Sequence, residues 1–191
     1  MKPVKDFLVK VDRKRRDTID LGNGHSLYLS PVKYDSYDIQ TRFGEVMEVP
    51  ELFNVTVKKG DTIFFHHNIT KESQFYGNKL YSDFKVKENV YRVPVTEVYG
   101  YIRDGEFFAL DPYVFVEPED TPEEYVGNII MPSKEKASVG VVKYNNKELE
   151  KQGVKVGDRV MFTDHSKYQL GINSNDERIF RMRTNWIIAK V

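Results

Sequence analysis

A nine-residue stretch occurs twice in this chain. Residues 57–65 read "VKKGDTIFF" and residues 154–162 read "VKVGDRVMF", identical at five positions. Alone, such a stretch is only a turn entering a strand. Gly is available for the positive φ that a tight turn needs. The alternation after the turn predicts that Ile63 and Phe65 face one side, as do Val160 and Phe162. The constraint on the fold comes from what surrounds the two copies.

The flanks match as well, in the same order. Upstream, "FGEVMEV" (43–49) answers "VGVVKY" (139–144), and "LYLSP" (27–31) answers "IIMPS" (129–133). At the front, "KDFLVKV" (5–11) answers "DPYVFVE" (111–117). Downstream, "YRVPVTEVYGYI" (91–102) answers "FRMRTNWIIAKV" (180–191). Collinear blocks of this kind mark an internal repeat. The sequence therefore reads as two copies of one β-domain, residues 1–105 and 106–191. The first copy carries a longer loop, about 16–42, and an insertion at about 66–90. The corresponding loop of the second copy is about 117–138. Surface loops absorb such length differences at little cost.

Composition agrees with an all-β chain. Aromatic residues make up 13%, with 12 Tyr and 12 Phe, and helical periodicity is weak. Strands are expected at 7–11, 27–29, 44–49, 62–66, 90–95, 98–102 and 106–116. In the second half they are expected at 128–131, 140–144, 159–163, 168–172, 178–182 and 186–191. Residues 146–152 are expected to form one helical turn. The fold class that follows is two tandem small β-barrels with long loops.

Several functions are disfavoured from the same numbers. The chain has no Cys, which removes disulfides, thiolate metal sites and thiol nucleophiles. Lys and Arg number 29, balanced by 29 Asp and Glu, which argues against a dedicated nucleic-acid binder. Residues 1–16 lack the continuous apolar core of a signal peptide, and no apolar run is long enough for a membrane helix. A cytoplasmic location is the expectation. The Asn54 and Asn68 glycosylation patterns are read as chance.

In this order the blocks resemble the GroES-type co-chaperonin family. The second copy shows "GNIIMPS", "VGVV", "VKVGDRVMF" and a closing "WIIAKV"; the first shows "HSLYLSP", "RFGEVMEV", "VKKGDTIFF" and "VYRVPVTEVYGYI". The resemblance implies a tandem co-chaperonin that caps an ATP-bound, GroEL-like chaperonin ring and assembles into a ring itself. It implies no catalysis, no cofactor and no metal. Family members contact the chaperonin through an apolar tripeptide in a mobile loop. Carried over, that tripeptide is Ile129, Ile130 and Met131 in the second copy, and Leu27, Tyr28 and Leu29 in the first. Tyr28 departs from the pattern. So does the short segment between the "GEV" and "VKVGD" strands, where the family has a roof hairpin.

The tripeptide can also be weighed on its own. Ile129–Met131 sits between "EPEDTPEEYVG" and "SKEKAS", an apolar triplet within polar flanks. A segment of this kind gains from ordering only if the triplet meets an apolar groove. The competing reading is a barrel strand facing the core. Other constellations carry less. His66 and His67, adjacent on a strand, are expected to point to opposite faces and so not to share a metal. "GNGHS" (22–26) fits a tight turn better than a phosphate loop. The basic run "KVDRKRR" (10–16) and the cluster Tyr34–Asp38 read as solvated loop, and the 66–90 insertion as a private hairpin. Two rival classes remain: a structural or virion-type assembly protein built on the same barrels, and a dehydrogenase with a GroES-like domain. The second lacks its GxGxxG and its alternating helices.

Overall fold

The computed structural model describes residues 2–12, 18–22, 25–28, 41–71, 74–76, 79–120, 124–126, 129–131, 135–163, 168–170 and 178–191. The chain divides into two compact units, Met1–Arg103 and Asp104–Val191. Among the described residues it is nearly all β, with one short α-helix.

The first unit contains β1 (Asp6–Lys10), β2 (Thr18–Gly22), β3 (His25–Tyr28), β4 (Phe43–Glu48) and β5 (Thr62–Phe65). It continues with β6 (Gln74–Tyr76), β7 (Lys79–Tyr81), β8 (Lys85–Lys87), β9 (Val90–Pro94) and β10 (Val98–Arg103). The second unit contains β11 (Glu106–Ala109), β12 (Tyr113–Asp120), β13 (Glu124–Val126), β14 (Ile129–Met131) and β15 (Glu135–Tyr144). After β15 come helix α1 (Lys147–Lys151), β16 (Arg159–Phe162), β17 (Tyr168–Gln169), β18 (Phe180–Arg183) and β19 (Ile187–Lys190).

The strands of the first unit run in the order β10-β5-β4-β1-β9-β8. Those of the second run β19-β16-β15-β12-β18-β17. Taken in turn, the two orders place corresponding sequence blocks at corresponding positions. The expected all-β fold in two halves is observed, and among the described residues neither order returns to its starting strand.

The doubled nonapeptide has the same hydrogen bonds in both units. Gly60 has φ +91° and Gly157 φ +89°, a region open mainly to glycine. The Gly60 N–H donates to the Val46 carbonyl at 2.9 Å, and the Gly157 N–H to the Val142 carbonyl at 2.8 Å. The Asp carboxylate then closes the turn, accepting from the Lys58 N–H at 2.6 Å and from the Lys155 N–H at 2.7 Å. Each turn thus locks the "GEV"-type strand to the strand after it. The expected facing holds: Ile63, Phe65, Val160 and Phe162 are all buried.

The "GEV" glycine has its own physical reason. A Cβ at Gly44 would lie 2.6 Å from the Lys10 carbonyl oxygen and 2.7 Å from Val9 Cγ1. At Gly140 it would lie 2.6 Å from Val116 Cγ1 and closer still to the Glu117 carbonyl. In both units only glycine lets this strand approach the first strand so closely.

The C-terminal blocks also coincide. β9 is followed by the 3-10 turn Val95–Glu97 and then β10; β18 is followed by the turn Thr184–Trp186 and then β19. The His66 N–H donates to the Glu97 carbonyl at 3.1 Å, and the Thr163 N–H to the Trp186 carbonyl at 3.0 Å. This alignment corrects the first block. Phe7 pairs with Val93 and Val9 with Tyr91, whereas Val114 pairs with Met182 and Val116 with Phe180. Residues 5–11 therefore correspond to 112–118, one residue later than the sequence match suggests. That match aligns Phe7 with Tyr113, whereas the strand pairing aligns Phe7 with Val114.

Other differences have local causes. The single strand expected over 106–116 is two strands, β11 and β12. The Tyr113 N–H reaches back to the Leu110 carbonyl at 2.7 Å, closing a turn between them. Phe107 on β11 packs edge-on against Phe115, with ring centroids 4.9 Å apart. The 66–90 insertion does contain a hairpin, β6–β7, but its end also supplies β8, which takes the sheet position that β17 takes in the second unit. In the second unit Arg181 lies over the rings of Tyr113 and Tyr168, at 5.1 and 4.5 Å, fixing the short β17 against β18.

The second core gathers Val114, Val116, Val142, Leu149, Val154, Val160, Phe162, Phe180 and Met182, with Trp186 against it. Helix α1 covers it where the resemblance places a roof hairpin. Asn146 caps the helix and is 2% exposed. Its Oδ1 accepts from the Leu149 N–H, and its Nδ2 donates to the Tyr113 carbonyl and to Thr184 Oγ1, each at 2.8 Å. One buried amide thus ties helix, first strand and 3-10 turn together.

Candidate docking hairpins

The apolar triplet of the second unit is strand β14. It pairs with β13, Val126 opposite Ile129, Tyr125 opposite Ile130 and Glu124 opposite Met131. These two strands form a sheet of their own and are not in the six-stranded order. Ile129, Ile130 and Met131 therefore do not form a strand of the core sheet, the reading that competed with a docking role. Strand β13 was not expected from the sequence, because "EEYV" reads as polar flank. Gly127 and Asn128 fall between the paired strands, a composition suited to two-residue hairpin connections.

In the chain this hairpin lies between β12 and β15. Asp120 at the end of β12 pairs with Glu135 at the start of β15, in the same antiparallel register as Glu124 with Met131. Closer to the core the register is different: Pro118 pairs with Gly140. The shift is a β-bulge, with Ser138 at φ +58° on one side and Glu119 on the other. Glu119 accepts a two-pronged contact from Arg159, Nε to Oε1 at 2.5 Å and Nη2 to Oε2 at 2.9 Å. That fork raises the already high pKa of Arg159, chiefly through the hydrogen bond to Glu119 and then through its charge. The next residue, Asp120, is ion-paired with Arg178.

The triplet of the first unit lies in a similar setting. Leu27 and Tyr28 belong to β3, which pairs with β2: Ile19 opposite Leu27 and Thr18 opposite Tyr28. This hairpin too is a separate two-stranded sheet. Gly22 pairs with His25, while Asn23 and Gly24, where the tight turn is expected, lie outside the described residues. Leu29, the run 13–16 and the cluster 34–38 lie outside the described residues.

The turn aspartates give each unit an electrostatic anchor. Asp61 is 5% exposed and meets Arg103 through two bonds, 2.9 Å to Nε and 2.7 Å to Nη2. Burial alone would push its carboxyl up. The hydrogen bonds from Arg103 and the Lys58 N–H, with the two positive charges, outweigh burial and hold it below the ordinary carboxylate range. Asp158 is held low mainly by its hydrogen bond with Lys190, 2.6 Å away, and then by the Lys155 N–H.

The expected opposition of His66 and His67 is not what the fold shows. Their rings stack with centroids 4.2 Å apart. The strand ends at Phe65, and His66 caps a 3-10 turn, His67–Ile69, so period-two alternation no longer applies. His66 Nδ1 accepts from the Asn68 N–H at 3.2 Å, which occupies one possible ligand atom. Among the described residues no group of three or more His, Asp or Glu could hold a metal ion. No helix among them is long and apolar enough to cross a membrane.

A family match falls on the second unit. Residues 106–191 match the family model of the chaperonin 10 kDa subunit, Cpn10. The match starts two residues inside the second unit and runs to Val191. It supports the GroES-type reading of that unit and, at the same coarse level, a chaperonin as partner. It does not extend to residues 1–105. No curated protein matches the chain.

Proposed function

We propose that this protein is a co-chaperonin, a lid for an ATP-driven, GroEL-like chaperonin ring, built from two GroES-like domains in one chain. The family match over residues 106–191 carries the reading. It is supported by the placement of Ile129–Met131 in a hairpin separate from the core sheet. The first unit repeats the strand order, the glycine contact and the locked turn of the second. On this reading residues 1–105 form a second GroES-like domain without a family match of their own.

In the proposed mechanism the chain performs no chemistry and needs no cofactor. Ile129, Ile130 and Met131 dock in apolar grooves on the ATP-bound chaperonin. Leu27, Tyr28 and Leu29 form the corresponding contact of the first domain. The sheets are the frame, and they supply the contacts for self-association into a ring. Docking of a short apolar segment spends part of its contact energy on ordering. That keeps the lid reversible, as a cycling closure requires. The protein then acts in the cytoplasm, with neither nucleic acid nor membrane as partner.

The contact is tested by substitution. Ile129→Asp/Met131→Asp, and separately Leu27→Asp/Leu29→Asp, are compared with wild type for binding to a bacterial-type chaperonin in ATP. Loss of binding in the first pair with an unchanged Trp186 unfolding profile supports the assignment. Unchanged binding in both pairs refutes it.

A further inference from the structure

The bulge at Glu119 is the joint where the docking hairpin leaves the core sheet, and it is braced from two directions. Arg159 reaches it from β16, whose neighbour β15 forms one side of the joint. Arg178 reaches Asp120 from just before β18, the neighbour of β12 on the other side. A bulge interrupts the ladder and increases local twist, so by itself it would weaken control of the strands beyond it. Here it is spanned by one two-pronged and one further ion pair, in a partly shielded setting: the Glu119 side chain is 25% exposed and that of Arg159 39%. Guanidinium–carboxylate forks fix orientation as well as distance.

The first unit keeps a carboxylate at the matching position but has neither arginine. Thr62 stands where Arg159 stands in the doubled nonapeptide. By the strand registers, Asp12 takes the place of Glu119 and Asn89 that of Arg178. Asn89 instead offers its carbonyl to the Val11 N–H at 2.9 Å. Neither Thr nor Asn can form an ion pair.

We infer that Arg159 and Glu119, assisted by Arg178 and Asp120, are positioning residues that pre-order the β13–β14 hairpin and make it the stronger of the two docking elements. The inference rests on the co-chaperonin reading for its consequence in binding, but not for the pre-ordering itself. A segment ordered before docking has less entropy to lose when it docks. The first hairpin, without the clamp, docks more weakly.

The test uses the full chain and four proteins: wild type, Glu119→Gln, Arg159→Leu and the exchanged pair Glu119→Arg/Arg159→Glu. Amide hydrogen exchange is followed at residues 124–126 and 129–131, with β18 as internal reference. Each single substitution is expected to speed exchange in the hairpin about three- to tenfold, the range for a partly exposed but forked ion pair. Exchange in β18 and the Trp186 unfolding midpoint should change little. The exchanged pair should restore protection. In ~1 M salt, wild type should approach the single variants, because screening then acts over about 3 Å. Binding to a bacterial-type chaperonin in ATP should weaken about three- to tenfold in the same two variants, again with rescue by the exchanged pair. Unchanged hairpin exchange in both single variants, or no rescue by the exchanged pair, overturns the inference. If wild type binds no chaperonin while the exchange pattern is as expected, the co-chaperonin reading fails and the clamp stands.

Discussion

Replacing Asp61 by Asn would remove a buried charge whose partners are all visible. The carboxylate accepts from the Lys58 N–H and from two nitrogens of Arg103. An amide can accept only with its oxygen, and its NH2 would face the guanidinium donors. Breaking a fully buried pair costs about 3–5 kcal/mol. Arg103 keeps 29% of its side chain exposed and regains some hydration, which brings the expected loss to about 2–3 kcal/mol. For a unit of this size that lowers the melting midpoint by roughly 10–20 °C. The assay is far-ultraviolet circular dichroism on heating, because the single Trp reports on the second unit. The pH dependence gives a second check. The folded pKa of Asp61 is depressed, so its contribution is full above the unfolded carboxylate value of about 4. It is lost as the pH falls through the folded pKa. Wild type and Asp61→Asn should differ fully at pH 7 and converge in strong acid. A negligible difference at pH 7, or one that persists undiminished near pH 2, would refute the reasoning.

Asp158→Asn, in the matching turn, should shift the Trp186 unfolding midpoint less than Asp61→Asn shifts its own unit, because Lys190 is half exposed; an equal or larger shift would contradict the burial argument. Gly140→Ala places a methyl against Val116 and the Glu117 carbonyl and should destabilise the second unit by about 3 kcal/mol, read by Trp186 fluorescence in urea. Asn146→Ala leaves the Tyr113 carbonyl without its amide donor and uncaps α1, with an expected loss of about 3 kcal/mol in the same assay. A change below about 0.5 kcal/mol in either would show that the contact has no energetic weight.

What could be read from the sequence was whatever depends on local pattern. The nonapeptide showed its turn because Gly60 and Gly157 need positive φ, and its strand because Val160 and Phe162 alternate with exposed positions. The order of the blocks predicted the repeated strand order. Short strands escaped notice because three residues are too few to set a pattern. "EYV" at β13 follows an acidic run, and "KVK" at β8 reads as solvated loop. The one-residue error in the first block arose because Tyr113, Val114, Phe115 and Val116 are all buried. A continuous apolar run carries no register information. The histidine pair was misjudged because nothing local says that the strand stops at Phe65. The braces at Glu119 and Asp120 were invisible for a different reason. Their arginines lie 40 and 58 residues away, and only the sheet brings them together.

The most direct measurement is co-migration of the intact wild-type chain with a bacterial-type chaperonin on a sizing column, with and without ATP. The account predicts that the chain moves to the chaperonin peak with nucleotide and elutes separately without it. Failure to shift with ATP present, while the chain remains folded by circular dichroism, would contradict the assignment as a chaperonin lid.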